Sequence, residues 1–418
     1  MVNSKRIFAR VNTMKREFRH MAYRGLQELR GGTNISHIDS VLFYPTIKFE
    51  RQKEDLLNRL AWYIPENPRE GDFTVFIPLN HESMIKSELR TSPQACYNYQ
   101  HFNLEFISTE NIHSVADQVD LILNWDSKYQ FSPKILKSLS KTMIVDPQYF
   151  SAVEIDRWLQ LSNYAEIDEE NNSISSFRKL ENDYRDCDTA FVFARGPSLK
   201  HAYDYELGDD SISIICNGIV RDRELLDHID PDILTAADPI LFSPSKYGHK
   251  FRQDAADAME SYEMATIIPP KYHALVNNHF SGLDFITIPS IESEKPIFPT
   301  SDNLKVRATA NIMTLFMLPI ASSIADEVYI IGADGMDDPK SGSFDHYEAT
   351  RYNPELVKSA TECHPSYYRD NKFSSYYEDH LDTMRDIIEY GEQQGIEYYS
   401  LTDSNIPCLA ERVKRDIH

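Results

Sequence analysis

The chain has 418 residues, of which 41% are hydrophobic, and this is enough for two globular domains of similar size. Its formal net charge of −22 excludes a general nucleic-acid binder, because a surface rich in carboxylates repels a phosphate backbone. No run approaches the roughly 20 apolar residues of a membrane-spanning helix, and the N-terminus lacks the apolar centre of a signal peptide. We therefore expect a cytoplasmic protein. Five dispersed cysteines fit a reducing compartment and show no zinc spacing, namely Cys96, Cys187, Cys216, Cys363 and Cys408.

Residues 1–31 differ from the rest of the chain in charge, with eight basic and two acidic residues. Apolar residues recur there at the spacing of one helix face, namely Ile7, Val11, Met14, Phe18, Met21, Leu26 and Leu29. The pattern predicts a basic amphipathic helix within 1–35 that contacts the inner face of the inner membrane peripherally. Packing of the same apolar face on the protein's own body is the alternative.

Residues 36–165 alternate short apolar runs with helical stretches. Strands are predicted at 41–44, 73–77, 121–123 and 143–145, and helices near 52–62, 83–90 and 132–140. Such alternation is typical of a parallel sheet, so we expect a Rossmann-like domain. The acidic, aperiodic segment 166–173 is interpreted as the linker to a second domain.

Residues 175–418 repeat the alternation over a longer stretch. Strands are predicted at 191–193, 212–215, 233–235, 266–268, 285–288, 328–331 and 396–399. Long helices are predicted over 308–323, with a kink at Pro319, and over 379–394. The fold class is therefore α/β, with two Rossmann-like domains facing a cleft.

A tight turn, Arg195-Gly196-Pro197-Ser198, follows the first predicted strand of the second domain. Backbone N–H groups at the carboxyl end of such a strand are a place where open α/β sheets bind phosphorylated ligands. We expect Arg195 to reach a phosphate and Ser198 to cap the following turn. A purely structural Gly-Pro turn is the alternative.

Two further strand ends carry polar residues. Asn217 and Gly218 follow the second strand, where the amide suits a ribose hydroxyl or a base edge and glycine admits a ligand to the backbone. Asp238 precedes Pro239 after the third strand, where it could serve as nucleophile or base. Ordinary Asn-Gly and Asp-Pro turns are the alternatives.

The last group of polar residues stands at the start of the predicted helix 308–323 and after the strand that follows it. Arg307, Thr309 and Asn311 stand at its start, where free N–H groups, the helix dipole and a guanidinium favour an anion. Asp334 follows the strand at 328–331 in the sequence Gly332-Ala333-Asp334.

Taken in this order, the motifs resemble those of bacterial sialyltransferase-like glycosyltransferases, which use CMP-activated sugars. The resemblance covers about residues 188–412. Arg195 stands where those enzymes usually have asparagine, and Asp238-Pro239 stands where the inverting enzymes have Asn-Pro. With aspartate at this turn, the chain is more similar to the related retaining β-Kdo transferases of polysaccharide and lipopolysaccharide assembly.

The resemblance implies a GT-B-like enzyme that transfers Kdo from CMP-Kdo to a bacterial surface glycan with retention. Asp238 would be the nucleophile that forms a covalent sugar adduct. His364 or His380 would act as acid, base or phosphate contact, since histidine titrates near neutral pH. The donor site would include Arg195, Gly196, Pro197, Ser198, Asn217, Gly218, Arg307, Thr309, Asn311 and Asp334. No metal or other cofactor is expected, because one phosphate can be neutralised by arginine and helix N–H groups.

Other functions are compatible with the same motifs. The nearest is an inverting sialyl or other nonulosonate transferase that uses a histidine base. More distant are a pyrophosphokinase-like enzyme and a nucleotide-binding scaffold without catalysis, since a shared fold does not determine the reaction.

Overall fold

A computed structural model describes residues 39–44, 46–48, 53, 74–80, 103–124, 141–144, 169–208, 210–242, 246–273, 285–336, 345–357 and 373–414. The basic segment 1–31, the predicted helices over 83–90 and 132–140, and His364 lie outside these residues. The chain divides into two compact units. The first contains the described residues 39–144, and the second contains almost all of those from 169 onward.

The first unit is built on a five-stranded parallel sheet in the order β3-β2-β1-β4-β5. Its strands are β1 (Ser40–Tyr44), β2 (Thr74–Leu79), β3 (Asn103–Ser108), β4 (Leu121–Asn124) and β5 (Thr142–Ile144). Helix α1 (Ile112–Gln118) packs its apolar face, including Ile112 and Ala116, against Leu42 and Ile122. Four of these strands are the predicted ones, and the fifth, β3, was not predicted.

The second unit contains a seven-stranded parallel sheet in the order β10-β9-β8-β7-β6-β13-β14. Its strands are β6 (Thr189–Phe193), β7 (Ser211–Cys216), β8 (Ile233–Thr235), β9 (Ala265–Ile268), β10 (Phe285–Thr287), β13 (Glu327–Ile331) and β14 (Glu397–Ser400). The short strands β11 (Ser290–Ile291) and β12 (Val306–Arg307) pair with each other outside this sheet. All seven strands of the large sheet are among those predicted.

The strand order of the large sheet reverses at β6. The chain runs outward from β6 through β10, then crosses back to place β13 on the other side of β6. In open α/β sheets the crevice beside such a reversal, at the carboxyl ends of the strands, is the usual ligand site.

The two parallel sheets with helices confirm the predicted α/β class.

Seven further helices are described after α1. They are α2 (Glu169–Asp183), α3 (Arg223–Ile229), α4 (Pro239–Phe242), α5 (Lys246–Tyr262), α6 (Leu318–Ile324), α7 (Phe373–Glu392) and α8 (Pro407–Ala410). Helix α2 packs on β10, and Ser173 Oγ accepts a 2.9 Å hydrogen bond from the N–H of Thr287. Residues 169–173 of the predicted linker are therefore helical, because buried Ser173 attaches this turn to the sheet.

The long apolar helix starts later than predicted, and Asn311 Oδ1 accepts from the N–H of Met313 at 2.9 Å. A wider π turn, Met313–Met317, precedes α6. Pro319 lies in the first turn of α6 and has no N–H to donate back along the helix. We attribute the π turn to this proline, since a widened turn relieves the clash of its ring with the preceding carbonyls. No described helix combines the length and hydropathy of a membrane span.

Candidate functional site

Polar residues from four strand ends lie at one edge of the large sheet. Arg195, Asn217, Asp238 and Asp334 come one to three residues after β6, β7, β8 and β13. Because all four strands are parallel neighbours, their carboxyl ends share this edge. The structure thus brings together the strand-end residues predicted from the sequence.

The Gly-Pro-Ser turn is occupied by the protein's own carboxylate. Asp334 accepts hydrogen bonds from the backbone N–H of Ser198, at 3.2 Å to each oxygen, and from Ser198 Oγ at 2.9 Å. The N–H of Gly196 donates to the carbonyl of Gly332 at 2.8 Å. The carboxylate of Asp334 therefore occupies the position that an anion would take at this turn. The N–H of Ser198 is already hydrogen-bonded and is not available to a ligand phosphate.

The same turn is too tight for a side chain. A Cβ added to Gly196 would overlap Asp334 Oδ2 and lie 2.5 Å from the carbonyl oxygen of Gly332. Ser198 Oγ also lies 3.0 Å from Thr402 Oγ1, just beyond β14. The ends of β6, β13 and β14 are thus tied together by satisfied hydrogen bonds.

Arg195 points away from that turn, toward the end of β7. Its Nη2 donates to the carbonyl of Thr350 at 2.8 Å, whereas its buried Nε has no hydrogen-bond partner among the described residues. A Cβ on Gly218 would lie 3.0 Å from this Nη2, so glycine leaves room for the guanidinium. Within the described chain no carboxylate neutralises Arg195.

Three residues after β7 also have a buried polar atom without a hydrogen-bond partner. Within the described chain such atoms include Asn217 Oδ1, Arg221 Nη1 and Asp222 Oδ2, although Arg221 Nε lies 3.9 Å from Asp254 Oδ2. Asn217 has a φ of 49°, the left-handed conformation that asparagine tolerates better than most residues. We call Arg195, Asn217, Arg221 and Asp222 the β6–β7 cluster.

Such atoms are uncommon in folded proteins, and each costs about 1–3 kcal/mol relative to a satisfied group. Other examples lie elsewhere, such as His113 Nδ1 in α1 of the first unit and Thr266 Oγ1 in β9 of the large sheet. Four of these atoms, which include both donors and acceptors, belong to the segment Asn217–Asp222 and to Arg195, whose guanidinium lies against Gly218.

Residues 345–350 lie against this cluster, since the short 3-10 helix Glu348–Thr350 packs on the turn Asn217–Arg221. The N–H of Tyr347 donates to the carbonyl of Arg195 at 2.8 Å. Burial, followed by the charges of Arg195 and Arg351, lowers the pKa of His346 to about 3. His346 is therefore neutral at physiological pH. The sequence gives no signal for His346, which belongs to no predicted strand end.

Asp238 lies at the same edge, beside the end of β8. Its side chain is exposed, and its carbonyl accepts from the N–H of Leu241 at 3.0 Å in the first turn of α4. Burial, and then the charge of Asp238, raises the pKa of Tyr272, whose ring stacks on Phe242 at a centroid distance of 4.2 Å. Asp238 is thus an exposed carboxylate whose charge acts on the buried phenol of Tyr272.

The predicted residues at the start of the long helix have partners within the protein. Arg307 Nη1 lies 3.4 Å from Asp386 Oδ2 on α7. Asn311 Nδ2 donates to the phenol oxygen of Tyr376 at 3.0 Å, and Thr309 Oγ1 accepts from the hydroxyl of Thr314 at 3.1 Å. These contacts tie the helix start to α7.

His380 lies two turns inside α7, because the helix begins at Phe373 rather than near residue 379. Its side chain is buried, and this burial lowers its pKa to about 4. The neutral imidazole stands beside the ring of Tyr377, at a centroid distance of 6.4 Å. The phenol oxygen of Tyr377 accepts from the N–H of Met336, beyond β13, at 3.0 Å.

Comparisons with protein-family models, with curated proteins and with solved structures found no match. Among the described residues, no three His, Cys, Asp or Glu side chains are grouped as metal ligands. The arguments for a function are therefore the sequence motifs and the geometry of this edge.

Proposed function

We propose that this protein is a glycosyltransferase that uses a CMP-activated sugar, with the donor bound at the carboxyl edge of the large sheet. The observation that carries the proposal is the β6–β7 cluster, whose unsatisfied donors and acceptors suit a nucleotide. The first unit would bind the acceptor glycan in a GT-B-like arrangement. Residues 1–31 would hold the enzyme at the inner membrane surface.

A single phosphate fits the charges at this edge better than a di- or triphosphate does. Arg195 supplies one cation without a described carboxylate partner, and a guanidinium forms strong charge-assisted hydrogen bonds to phosphate. Asp334 already fills the neighbouring turn and would repel a second phosphate there. This arrangement favours a CMP-sugar over the ATP of a pyrophosphokinase-like enzyme.

The preferred reaction is transfer of a 3-deoxy-ulosonic sugar, β-Kdo, with retention. A carboxylate oxygen of Asp238 would form a bond to the anomeric carbon while the bond from that carbon to the phosphate oxygen breaks, and CMP leaves with the electron pair. An acceptor hydroxyl would then attack the same carbon, lose its proton to a base and release Asp238. The exposed side chain of Asp238 at the end of β8 supports this assignment.

Nucleotide binding tests the donor class. We expect CMP to raise the melting temperature of the purified protein in a thermal-shift screen, and UDP, GDP and ATP to leave it nearly unchanged, because only the binding nucleotide stabilises the folded state. Stabilisation by ATP alone would overturn the proposal and favour the pyrophosphokinase-like alternative.

Transfer from CMP-Kdo to a glycan acceptor tests the chemistry. The Asp238→Ala variant is expected to lose activity while it still binds CMP, and NMR of the wild-type product is expected to show a retained anomeric configuration. Near-normal activity of the variant would remove the nucleophile assignment. An inverted product would instead favour a sialyl or other nonulosonate transferase.

A further inference from the structure

Asp222 has one engaged and one unengaged carboxylate oxygen at the edge of the β6–β7 cluster. It precedes α3 directly, and its Oδ1 accepts from the backbone N–H of Leu225 at 3.2 Å. The side chain is only 8% exposed, and its Oδ2 has no hydrogen-bond partner among the described residues. Burial raises the pKa of the Asp222 carboxyl group, and a ligand N–H or O–H group at Oδ2 would offset the cost of this unpaired oxygen.

Two phenol rings accompany this carboxylate. Burial, and then the charge of Asp222, raises the pKa of Tyr203 to about 12. The same two causes, in the same order, raise the pKa of Tyr347. Tyr203 follows β6, whereas Tyr347 belongs to the segment that is bonded to Arg195. Tyr203 is 41% exposed, and its ring lies beside that of His228 at a centroid distance of 5.2 Å. Aromatic side chains beside a polar acceptor suit a flat heterocycle, because a base stacks on such rings.

We propose that Asp222 Oδ2 accepts a hydrogen bond from the exocyclic amine of a cytosine ring that lies against Tyr203 and Tyr347, and so selects cytosine over uracil. This inference rests on the proposed function and adds the residue that recognises the base. Cytosine carries an amine donor where uracil carries a carbonyl oxygen, and carboxylates accept from that amine. Uracil would place its oxygen against the carboxylate with no proton between them.

The capping bond makes a sharp substitution available. In the Asp222→Asn variant the Leu225 N–H still requires an acceptor, so the amide oxygen takes the place of Oδ1 and the amide NH2 takes the place of Oδ2. The substitution therefore keeps the helix cap and turns the unengaged acceptor into a donor. Asp222→Ser also keeps a capping oxygen but leaves nothing at the second position.

The experiment is isothermal titration of CMP and UMP into the full chain and these two variants. We expect the wild type to bind CMP at least about tenfold tighter than UMP. Asp222→Asn should reverse that preference, and Asp222→Ser should abolish it. Asp227→Asn serves as the matched control, since this exposed residue on α3 hydrogen-bonds Tyr262, and it should keep the wild-type ratio.

Three results would overturn the inference. A wild-type CMP to UMP ratio that Asp222→Asn leaves unchanged would remove the role of Asp222 while CMP binding itself still stands. Equal weakening of both nucleotides by that variant would assign Asp222 to a group that both share, such as the ribose hydroxyls. Failure of the wild type to bind either nucleotide would remove the proposed function and this inference together.

Discussion

The two sides of β6 differ in how completely their polar groups are satisfied. On the β13 side, Asp334 accepts from the N–H and hydroxyl of Ser198, and Gly196 donates to Gly332. On the β7 side, buried atoms of the β6–β7 cluster lack hydrogen-bond partners among the described residues. The first side therefore contributes to stability, and the second side is where we propose that the ligand binds. The sequence motif that resembles a phosphate loop marks the edge of the sheet, but its N–H group at Ser198 is bound by the protein's own Asp334.

The largest expected effect concerns Arg195. We expect Arg195→Ala to weaken CMP binding about 100-fold, because a charge-assisted hydrogen bond to phosphate is lost. Isothermal titration measures this, with the melting temperature as a check on folding. Arg178→Ala is the matched control, since Arg178 has only an exposed 3.8 Å pair with Asp302 and should leave the affinity unchanged. Equal affinities for the wild type and Arg195→Ala would show that the β7 side does not bind the phosphate.

The next effect concerns the tight side of β6. Gly196→Ala is expected to lower the free energy of unfolding by about 2–3 kcal/mol, since its Cβ would overlap Asp334 Oδ2 and backbone must shift. Chemical denaturation measures the change. Gly208→Ala is the control, because a Cβ there meets nothing within 4 Å, and it should be neutral or slightly stabilising. A Gly196→Ala variant as stable as the wild type would contradict the described packing of the turn.

A smaller effect is expected for Asp334→Asn. The amide keeps the shape of the side chain but gives up the charge that strengthens the bonds to Ser198, so we expect a loss of about 1–2 kcal/mol in unfolding free energy. CMP affinity should change far less than in Arg195→Ala. If the two variants lost CMP affinity equally, both sides of β6 would belong to the binding site and the contrast between them would fail.

The smallest effect is the response of His346 to pH. Its pKa is lowered to about 3 in the folded chain, so the unfolded chain, with a value near 6.5, takes up the proton first as pH falls. The stability contribution of this group is thus full well above pH 6.5 and decreases as the pH falls through 6.5. The expected loss from this group between pH 8 and pH 6 is about 0.8 kcal/mol. Between pH 8 and pH 6, the free energy of unfolding of His346→Gln should fall by about 0.8 kcal/mol less than that of the wild type, as measured by denaturation. An equal fall in both proteins would mean that burial does not lower the pKa of His346.

The sheet could be predicted from the sequence because its strands are short apolar runs with turn residues at their ends. Strand β3 was not predicted, since Asn103–Ser108 alternates exposed and half-buried residues at the edge of its sheet, without a continuous apolar run. The start of the long helix was placed too early because the side chain of Asn311 caps the helix instead of belonging to it. Local pattern determines the elements, whereas capping determines their ends.

The site was only partly predictable for a different reason. Strand-end residues such as Asn217 and Asp238 could be found because parallel strands bring their ends to one edge. The bond between Ser198 and Asp334 joins residues 136 positions apart, and no periodicity in the sequence encodes it. His346 and Asp222 were missed because neither follows a strand directly. Arg307 carries the expected charge, but its described partner on α7 is Asp386, which the sequence pattern does not connect with it.

The position of β6 also bears on how the chain folds as it is made. One edge of β6 can pair with β7 soon after both leave the ribosome, but the other edge pairs with β13, which is translated about 140 residues later. At ordinary elongation rates that delay is on the order of ten seconds. During it, the central strand has an unpaired, apolar edge of the kind that promotes aggregation. We therefore expect a chain truncated before residue 327 to be insoluble, because it contains the five strands β6 to β10 of the sheet but lacks β13, which pairs with the other edge of β6.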